Sequence, residues 1–351
     1  MMDLELAEVR ESIAIVLEEQ CTSLAIHAYV DGHNRLNAEL QGQAAELGWL
    51  AIALPEEQGG IGLGAAGMAI LHLELGRVCA PGAFLATSVA LEILARSPVA
   101  DDEGVAKLIA DVIGGTATLA VEARVGASLA GGSTWLLGEA SAAAALIAGE
   151  GEDLVLVGIA DDAIEQVSIW DETRSMISTD LSAAAPIITL VGMRPLFEGL
   201  FALALAADSA GAARGVLDRT VAYMKEREQF GRAIAAFQAL KHRAADHAVH
   251  AIICEHLVWQ AVENLEGNGP ESRLWPLMAK ANVTEKASKI STDCVQLHGG
   301  VGYTREYDPH LFLKRIRLNE AMLAANTALR DRADVALAEA MRNGADVLEV
   351  A

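Results

Sequence analysis

Long helical patterns dominate the C-terminal half of the chain. From Pro195 onward, apolar residues recur at helical spacing over 197–226, 233–266, 276–298 and 320–342, with glycine, asparagine or proline near the stops. Each such helix must bury its apolar stripe against a neighbour. Four long helices with short connections therefore predict a four-helix bundle.

The pattern changes towards the N-terminus. Residues 1–115 read as helical, including segments at 84–96 and 103–113. Short β-type runs separated by glycine and aspartate then fill 116–194, which predicts a small antiparallel, barrel-like β domain. We therefore expect a mostly helical α+β fold: an N-terminal helical domain, the β domain, and the bundle at 195–351.

Charge and cysteine usage exclude several classes of function. The formal net charge is −22 and the pI is near 4.7, which argues against nucleic acid or an anionic membrane surface as the main partner. No run of about 18 uncharged apolar residues predicts a membrane span, and the first residues do not resemble a signal peptide. The four cysteines form no CxxC motif, so we expect reduced thiols and a cytoplasmic location.

Two motifs in the bundle point to a bound phosphate. Arg227 and Gln238 flank a predicted tight turn at Gly231, an arrangement that offers a guanidinium to a phosphate and an amide to the edge of a heterocycle. Downstream, Gln296 precedes a glycine cluster at 299–302, where a backbone without side chains can approach an anion closely. Together they predict a phosphate-bearing cofactor held at helix ends.

The same motifs carry a family resemblance. Arg227-x-x-Phe230-Gly231, Phe237-Gln238 and the run from Gln296 to Tyr303 resemble the C-terminal domain of acyl-CoA dehydrogenases, and the resemblance covers nearly the whole chain. It implies an FAD-dependent oxidoreductase that introduces an α,β double bond into an acyl-CoA substrate. In the family, these residues reach the ADP half of an FAD whose flavin ring lies in the neighbouring subunit. The implied cofactor-binding residues are Arg227, Phe230, Gln238, Gln296, Leu297, His298, Gly299 and Gly300.

The chain departs from the family where the chemistry takes place. The flavin ring is normally held by Thr-Glu-Pro and Trp-Ile-Thr segments, but here the sequence has Val121-Glu-Ala and Trp135-Leu-Leu. The usual catalytic glutamate position falls on Leu323, counted without gaps from the glycine pair. A minority of the family places the base, followed by a CoA-binding arginine, at positions that fall on Phe201 and Ala202. No catalytic residue is therefore assigned.

These departures favour a subunit that is active only with a partner. The resemblance is to the base-deficient chain of heteromeric steroid-type acyl-CoA dehydrogenases. It implies a paralogous partner subunit, as an α2β2 assembly, and an electron acceptor protein. Two alternatives stay open: a homo-oligomeric enzyme with an unusual base, Glu198 or Asp208, with Glu320 as a further candidate, or a non-catalytic flavin-binding scaffold.

Three other patterns are weighed against simpler explanations. Gly62-x-Gly64-x-x-Gly67 matches a dinucleotide-binding fingerprint, but no acidic strand end follows about 20 residues later. His247 and His250 could share one helix face, yet no carboxylate or thiolate stands at matching spacing, so no metal site is predicted. The other basic residues near the turn form either a solvated face or a local positive field for phosphates. They are Lys225, Arg232, Lys241 and Arg243. Phosphate contact is assigned to Arg227 alone.

Overall fold

A computed structural model describes residues 4–130, 133–159, 164–181, 186–265, 271–342 and 344. The N-terminal helices are α1 (Leu4–Gln20), α2 (Ser23–Val30), α3 (Leu36–Glu46), α4 (Gly64–Val78), α5 (Phe84–Arg96) and α6 (Glu103–Ile113). The sheet strands are β1 (Leu119–Glu122), β2 (Ser133–Leu137), β3 (Ala144–Ala148), β4 (Leu154–Gly158), β5 (Ile164–Val167), β6 (Met176–Asp180) and β7 (Pro186–Leu190). The C-terminal elements are α7 (Arg194–Glu226), the short strands β8 (Glu228–Gln229) and β9 (Arg232–Ala233), α8 (Gln238–Leu265), α9 (Glu271–His298), α10 (Pro309–Ala321) and α11 (Asn326–Arg342). The predicted mostly helical α+β fold is thus confirmed.

The seven strands form one sheet in the order β5-β6-β2-β1-β3-β4-β7. Neighbouring strands are antiparallel except β1 and β3, which pair in parallel through Leu119 with Ala144 and Val121 with Leu146. The prediction of a wholly antiparallel domain is therefore wrong at this pair. The strand patterns were legible in the sequence, but the placement of β3 on the far side of β1 depends on non-local pairing.

Helix α7 is the centre of the molecule. It spans 33 residues and packs on α4, α8, α9 and α10. By length and composition α7 could cross a membrane, but 94% of its apolar window is buried inside the protein. It is therefore the core helix on which the neighbouring helices pack.

Helices α4 and α7 touch backbone to backbone. A β-carbon added at Gly76 would lie 2.1 Å from the Asp208 carbonyl oxygen, and one at Gly211 would lie 1.9 Å from that of Leu73. At Gly215 the same distance to the Arg77 carbonyl oxygen is 1.9 Å. Only glycine permits this approach, so the glycines at 76, 211 and 215 allow α4 and α7 to pack closely.

The bundle differs from the predicted four helices. The second predicted helix begins only at Gln238, because 228–237 form the β8–β9 hairpin and a 3-10 turn. The third begins before Pro276, which lies inside α9. The fourth is two helices, α10 and α11, separated at Leu323, whose backbone is left-handed (φ 67°). The predicted stop at 267–270 lies outside the described residues.

The dinucleotide-binding alternative is also excluded by the fold. The residues before the Gly62 motif form two 3-10 turns, not a strand. Gly67 instead packs tightly, since an added β-carbon would lie 2.7 Å from Leu63 and 3.1 Å from Ile52. These glycines start α4 and fit it against its neighbours.

A buried ionic cluster joins the N-terminal helices, the sheet region and the C-terminal helices. Asp208 of α7 is fully buried and pairs with Arg315 of α10 (2.6 Å) and with Arg174 after β5 (2.8 Å). Asn319 donates a further hydrogen bond to Asp208 (2.6 Å), and Arg315 also donates to the Ala80 carbonyl oxygen at the end of the N-terminal helices (2.7 Å). Every layer thus contributes a group to one network.

Candidate functional site

The β8–β9 hairpin presents an exposed phenylalanine on a strained backbone. Phe230 and Gly231 occupy the two turn positions with φ of 55° and 76°, the combination that a tight two-residue hairpin requires. A left-handed conformation costs a non-glycine residue roughly 1–2 kcal/mol. The Phe230 side chain is 91% exposed, so no burial within its own chain offsets the cost of this backbone conformation. Strain combined with an exposed aromatic ring is typical of a contact surface.

Behind the hairpin lies a second aromatic ring. Phe237 meets Phe230 edge to face, with centroids 6.1 Å apart, and the Arg232 guanidinium lies 4.0 Å above the Phe237 ring. This cation–π contact holds the Arg232 guanidinium against an aromatic ring of its own chain.

The end of α9 supplies an open backbone. Gly299 has a φ of 66°, and β-carbons added at Gly299 or Gly300 would meet no atom within 4 Å. Gly302 differs, because a β-carbon there would lie 2.6 Å from the Val295 carbonyl oxygen. Gly302 is therefore a packing residue, whereas Gly299 and Gly300 face free space that a ligand can fill.

Three stacked rings support this turn. His298 stacks on Tyr223 with centroids 4.3 Å apart, and Tyr307 packs edge-on against both. The Nδ1 atom of His298 lies 2.8 Å from the Cys294 carbonyl oxygen, which can only accept, so Nδ1 carries the proton. Burial lowers the pKa of His298 below its usual value, although the Cys294 hydrogen bond opposes that shift. The ring is thus held as a neutral wall of the site.

A cavity of about 720 Å³ lies between the hairpin, α8 and the end of α9. Seven of the eight predicted cofactor-binding residues line it: Arg227, Phe230, Gln296, Leu297, His298, Gly299 and Gly300. Gln238 is not among the lining residues, although its neighbours Phe237 and Ala239 are. Two further lining residues, Phe237 and Val301, lie within the motifs but were not assigned to cofactor binding. The lining residues outside the motifs are Tyr223, Gln229, Ile234, Ala239, Leu240 and Arg243. This set is called the hairpin cavity below.

The chemistry of the hairpin cavity fits the ADP half of a dinucleotide. Its charged side chains within the described chain are Arg227 and Arg243, and no carboxylate lines it. Aromatic faces suit an adenine, and open glycine backbone suits a diphosphate. In a protein of net charge −22, a cavity free of acids supplies the local positive field that phosphates require.

Backbone hydrogen bonds at Leu323 join the loop after β1 to the turn between α10 and α11. The Leu323 amide donates to the Ala123 carbonyl oxygen (2.8 Å), and the Val125 amide donates to the Leu323 carbonyl oxygen (3.2 Å). Leu323 is 1% exposed. The residue at the family's base position is therefore a buried apolar link between two layers.

Two buried charges brace this joint from either side. Glu122 accepts hydrogen bonds from the amides of Gly126 (3.1 Å), Ser128 (2.6 Å) and Ala148 (2.9 Å). On the bundle side, the Lys280 ammonium donates to the carbonyl oxygens of Glu320 and Ala324 at 2.8 and 3.1 Å. The loop after β1 and the turn between α10 and α11 are thus each fixed internally.

The three candidate bases are all occupied. Burial alone raises the pKa of Asp208, but the guanidiniums of Arg174 and Arg315 outweigh it and hold that pKa well below its usual range. Glu198 pairs with Arg332 (3.2 Å) and Arg194 (3.7 Å). Glu320 accepts from Ser288 and Arg317. The geometry therefore offers no free carboxylate among these three.

The histidine pair on α8 does not form a metal centre. His247 Nε2 lies 2.7 Å from Asp293, and the rings of His247 and His250 are 6.3 Å apart. Within the described ranges, no group of three His, Cys, Asp or Glu side chains could hold an ion. The four cysteines are buried free thiols, without a disulfide among the described residues.

Comparisons with known proteins agree with this geometry. The acyl-CoA dehydrogenase N-terminal domain model matches residues 4–102, and the C-terminal domain model matches residues 200–330. Acyl-CoA dehydrogenase IpdE2 of Mycolicibacterium smegmatis is 30% identical over 88% of this chain and 90% of its own length. Acyl-CoA dehydrogenase FadE34 of Mycobacterium tuberculosis is 30% identical over 77% of this chain, which spans 38% of that longer protein.

A solved structure extends the likeness to three dimensions. The Tcur3481-Tcur3483 steroid ACAD G363A variant superposes with a TM-score of 0.84 at 26% identity, covering 96% of this chain and 99% of that one. The two domain models, the relatives and the solved structure therefore indicate the same family. The protein belongs to the acyl-CoA dehydrogenase family of FAD-dependent oxidoreductases.

Proposed function

We propose that this chain is the base-deficient subunit of an FAD-dependent acyl-CoA dehydrogenase and completes the cofactor site of a partner subunit. One contrast supports the proposal: the hairpin cavity is open and no acid among the described residues lines it, while the family's base position is a buried leucine, Leu323, whose backbone is hydrogen-bonded to 123–125. A chain built this way offers the ADP half of a site and no carboxylate at the family's base position.

Each cavity residue has a role in this proposal. Arg227 would pair with the diphosphate, and the backbone at Gly299 and Gly300 would approach it closely. Phe230 would cover the adenosine, Gln238 would extend from the cavity rim to a heterocycle edge, and Gln296, Leu297 and His298 would form the wall behind it. When bound, FAD accepts the hydride that leaves the β-carbon of the acyl-CoA thioester. The partner would supply the carboxylate that removes the α-proton.

The substrate class follows from the relatives. One solved structure similar to this chain, the Tcur3481-Tcur3483 variant, is described as a steroid ACAD, and its name pairs two designations. We propose a CoA thioester from steroid side-chain or fatty acid breakdown, an α2β2 assembly, a cytoplasmic location and a protein electron acceptor. No residue of this chain is assigned to acyl recognition, since that pocket would lie in the partner.

Helix α8 offers the partner a docking face. Val249, Ile252 and Ile253 are 56%, 51% and 39% exposed and form an apolar patch in the middle of the helix, here called the α8 face. The first turns of the same helix supply Ala239, Leu240 and Arg243 to the hairpin cavity. A subunit of the same fold lying along α8 would therefore reach the cavity rim, which is the occupant we propose.

Replacing Ile252 by aspartate is expected to weaken the mixed assembly at least about 10-fold, because a charge would be buried in an apolar contact. Ile187→Asp is the matched control: Ile187 is 53% exposed, but it lies on β7 of the sheet. Native mass spectrometry across a dilution series measures both. Equal effects of the two substitutions, or no effect of Ile252→Asp, would rule out the α8 face.

The decisive test is the flavin-to-chain ratio, measured by absorbance and native mass. The protein is purified alone and again after co-expression with its nearest encoded paralogue. We expect almost no flavin in the chain alone and about one flavin per two chains in the mixed assembly.

The other outcomes are equally informative. One flavin per chain in a self-assembled oligomer would contradict the shared site and return attention to Glu198. A flavin-loaded mixed assembly that oxidises no acyl-CoA would instead favour the scaffold hypothesis. Each result thus selects a different one of the three functions.

A further inference from the structure

A second arginine in the hairpin cavity is held in a fixed orientation by its own chain. Arg243 of α8 lines the cavity, whereas the sequence left open whether its run of basic residues forms a solvated face or a local positive field. Its Nε donates to Asp293 Oδ2 at 3.1 Å, and its Nη2 donates to Asp293 Oδ1. The two bonds use one edge of the guanidinium fork and leave Nη1 free to donate elsewhere.

Asp293 is itself anchored. It lies on α9, and His247 Nε2 donates to its Oδ2 at 2.7 Å. Burial lowers the pKa of His247, with His250 and Arg243 acting in the same direction and Asp246 opposing them. A neutral imidazole that donates from Nε2 orients the carboxylate without adding a positive charge. Two helices thus fix the direction of one guanidinium.

Arg227 stands across the cavity in a different state. It is exposed at the end of α7, and among the described residues its side chain has no ion-pair or hydrogen-bond partner. The cavity therefore contains one free guanidinium and one that is pre-oriented. A diphosphate carries two groups that can be met separately in this way.

A second cavity shows that arginines alone do not make such a site. About 350 Å³ is enclosed near the start of α7, where three arginines meet three glutamates. Arg332 and Arg194 pair with Glu198, and Arg273 pairs with Glu152. Those glutamates line the cavity beside the arginines, whereas Asp293, the partner of Arg243, lies outside the lining of the hairpin cavity and no other acid of the described chain lines it.

We propose that Arg243, oriented by Asp293, is a second diphosphate-binding residue of the hairpin cavity and acts together with Arg227. This inference rests on the proposed function, since it takes the ADP half of FAD as the ligand. It adds a contact that the motifs did not indicate, and it assigns the Asp293–His247 pair a positioning role. Preorganisation of this kind reduces the entropy lost on binding.

The test uses ADP and AMP as probes of the full-length chain, titrated by calorimetry without a partner. Arg243→Gln is expected to weaken ADP binding about 10- to 100-fold, the range for loss of a charge-assisted contact. It should affect AMP much less, because AMP lacks the second phosphate. Lys241→Gln is the matched control, since it removes the same charge from the same helix at an exposed position outside the cavity lining. It should change the affinity less than about twofold.

Asp293→Asn separates orientation from charge. The substitution makes the local field more positive, so a purely electrostatic effect would tighten ADP binding. If Asp293 positions Arg243, binding weakens despite the added positive charge. Thermal melts of all variants check that the fold is retained.

Two results would overturn the inference. Equal losses from Lys241→Gln and Arg243→Gln would reduce Arg243 to part of a general field, and tighter ADP binding in Asp293→Asn would remove the positioning role. In both cases the flavin ratio of the mixed assembly could still support the shared site. Absence of ADP binding by the wild-type chain at millimolar concentration would count against the cavity itself.

Discussion

Replacing Asp208 by asparagine is expected to lower the free energy of unfolding by about 3–5 kcal/mol. The substitution removes the carboxylate that pairs directly with the guanidiniums of Arg315 and Arg174, whose side chains are 4% and 2% exposed. The acid that remains beside them is Asp171, 4.0 Å from Arg174. Removing one partner of a buried pair costs far more than the pair contributes, because the remaining charge cannot regain its water. Denaturant or thermal unfolding measures the loss.

The control and the pH dependence sharpen this expectation. Asp218→Asn removes an exposed carboxylate of the same helix, paired with Arg214 at 2.8 Å, and should cost less than about 1 kcal/mol. The folded-state pKa of Asp208 is depressed, so its stabilisation is fully present above the unfolded value of about 3.9 and fades as the pH falls through the folded value. The difference between wild type and Asp208→Asn should therefore be constant above about pH 5 and narrow only in acid. A loss no larger than that of Asp218→Asn would show that the cluster is not needed for stability.

Replacing Glu122 by alanine is expected to be equally costly, at about 3–6 kcal/mol. Three backbone amides would lose their acceptor at once; a buried donor such as the Ala148 amide costs about 1–3 kcal/mol when orphaned, and the half-buried amides of Gly126 and Ser128 cost less because water can reach them. The damage should begin locally, because Glu122 fixes the loop that bonds to Leu323. Hydrogen exchange at the Val125 and Leu323 amides is expected to rise before the bundle unfolds.

Glu165→Ala provides the comparison for that experiment. Glu165 lies exposed on β5 of the same sheet, so its loss should leave both exchange rates unchanged. Protection of Val125 that survives Glu122→Ala would mean that the joint holds itself through Leu323 alone. The measurement thus shows whether the hydrogen bonds at Leu323 depend on Glu122 or form without it.

Local patterns in the sequence predicted many elements closely. The helices at 84–96 and 103–113 occur with those bounds, and seven strands lie between 119 and 190, where β-type runs were predicted. Their signals are the spacing of apolar residues and the breaks beside them, which act over a few residues. The strands at 164–167 and 176–180 carry a weaker signal, because they are short and less apolar.

The candidate site was predictable to the same extent: residues in local motifs could be recognised, and residues that depend on distant partners could not. Motif residues such as Arg227 and Gly299 could be placed because glycine and arginine spacing is visible in one chain. Arg243 could not, because its role depends on Asp293, 50 residues away on another helix. Leu323 was recognised as a missing base, but its left-handed backbone results from hydrogen bonds to the sheet that no local pattern encodes.

The backbone contact between α4 and α7 determines where this molecule can move. With no layer of side chains between Gly76 and the Asp208 carbonyl oxygen, neither helix can slide or rotate without a collision. The N-terminal helices and the core of the bundle must then travel as one rigid body. The β8–β9 hairpin, which carries the exposed Phe230, lies outside this contact. A partner that binds this subunit therefore meets a stiff frame.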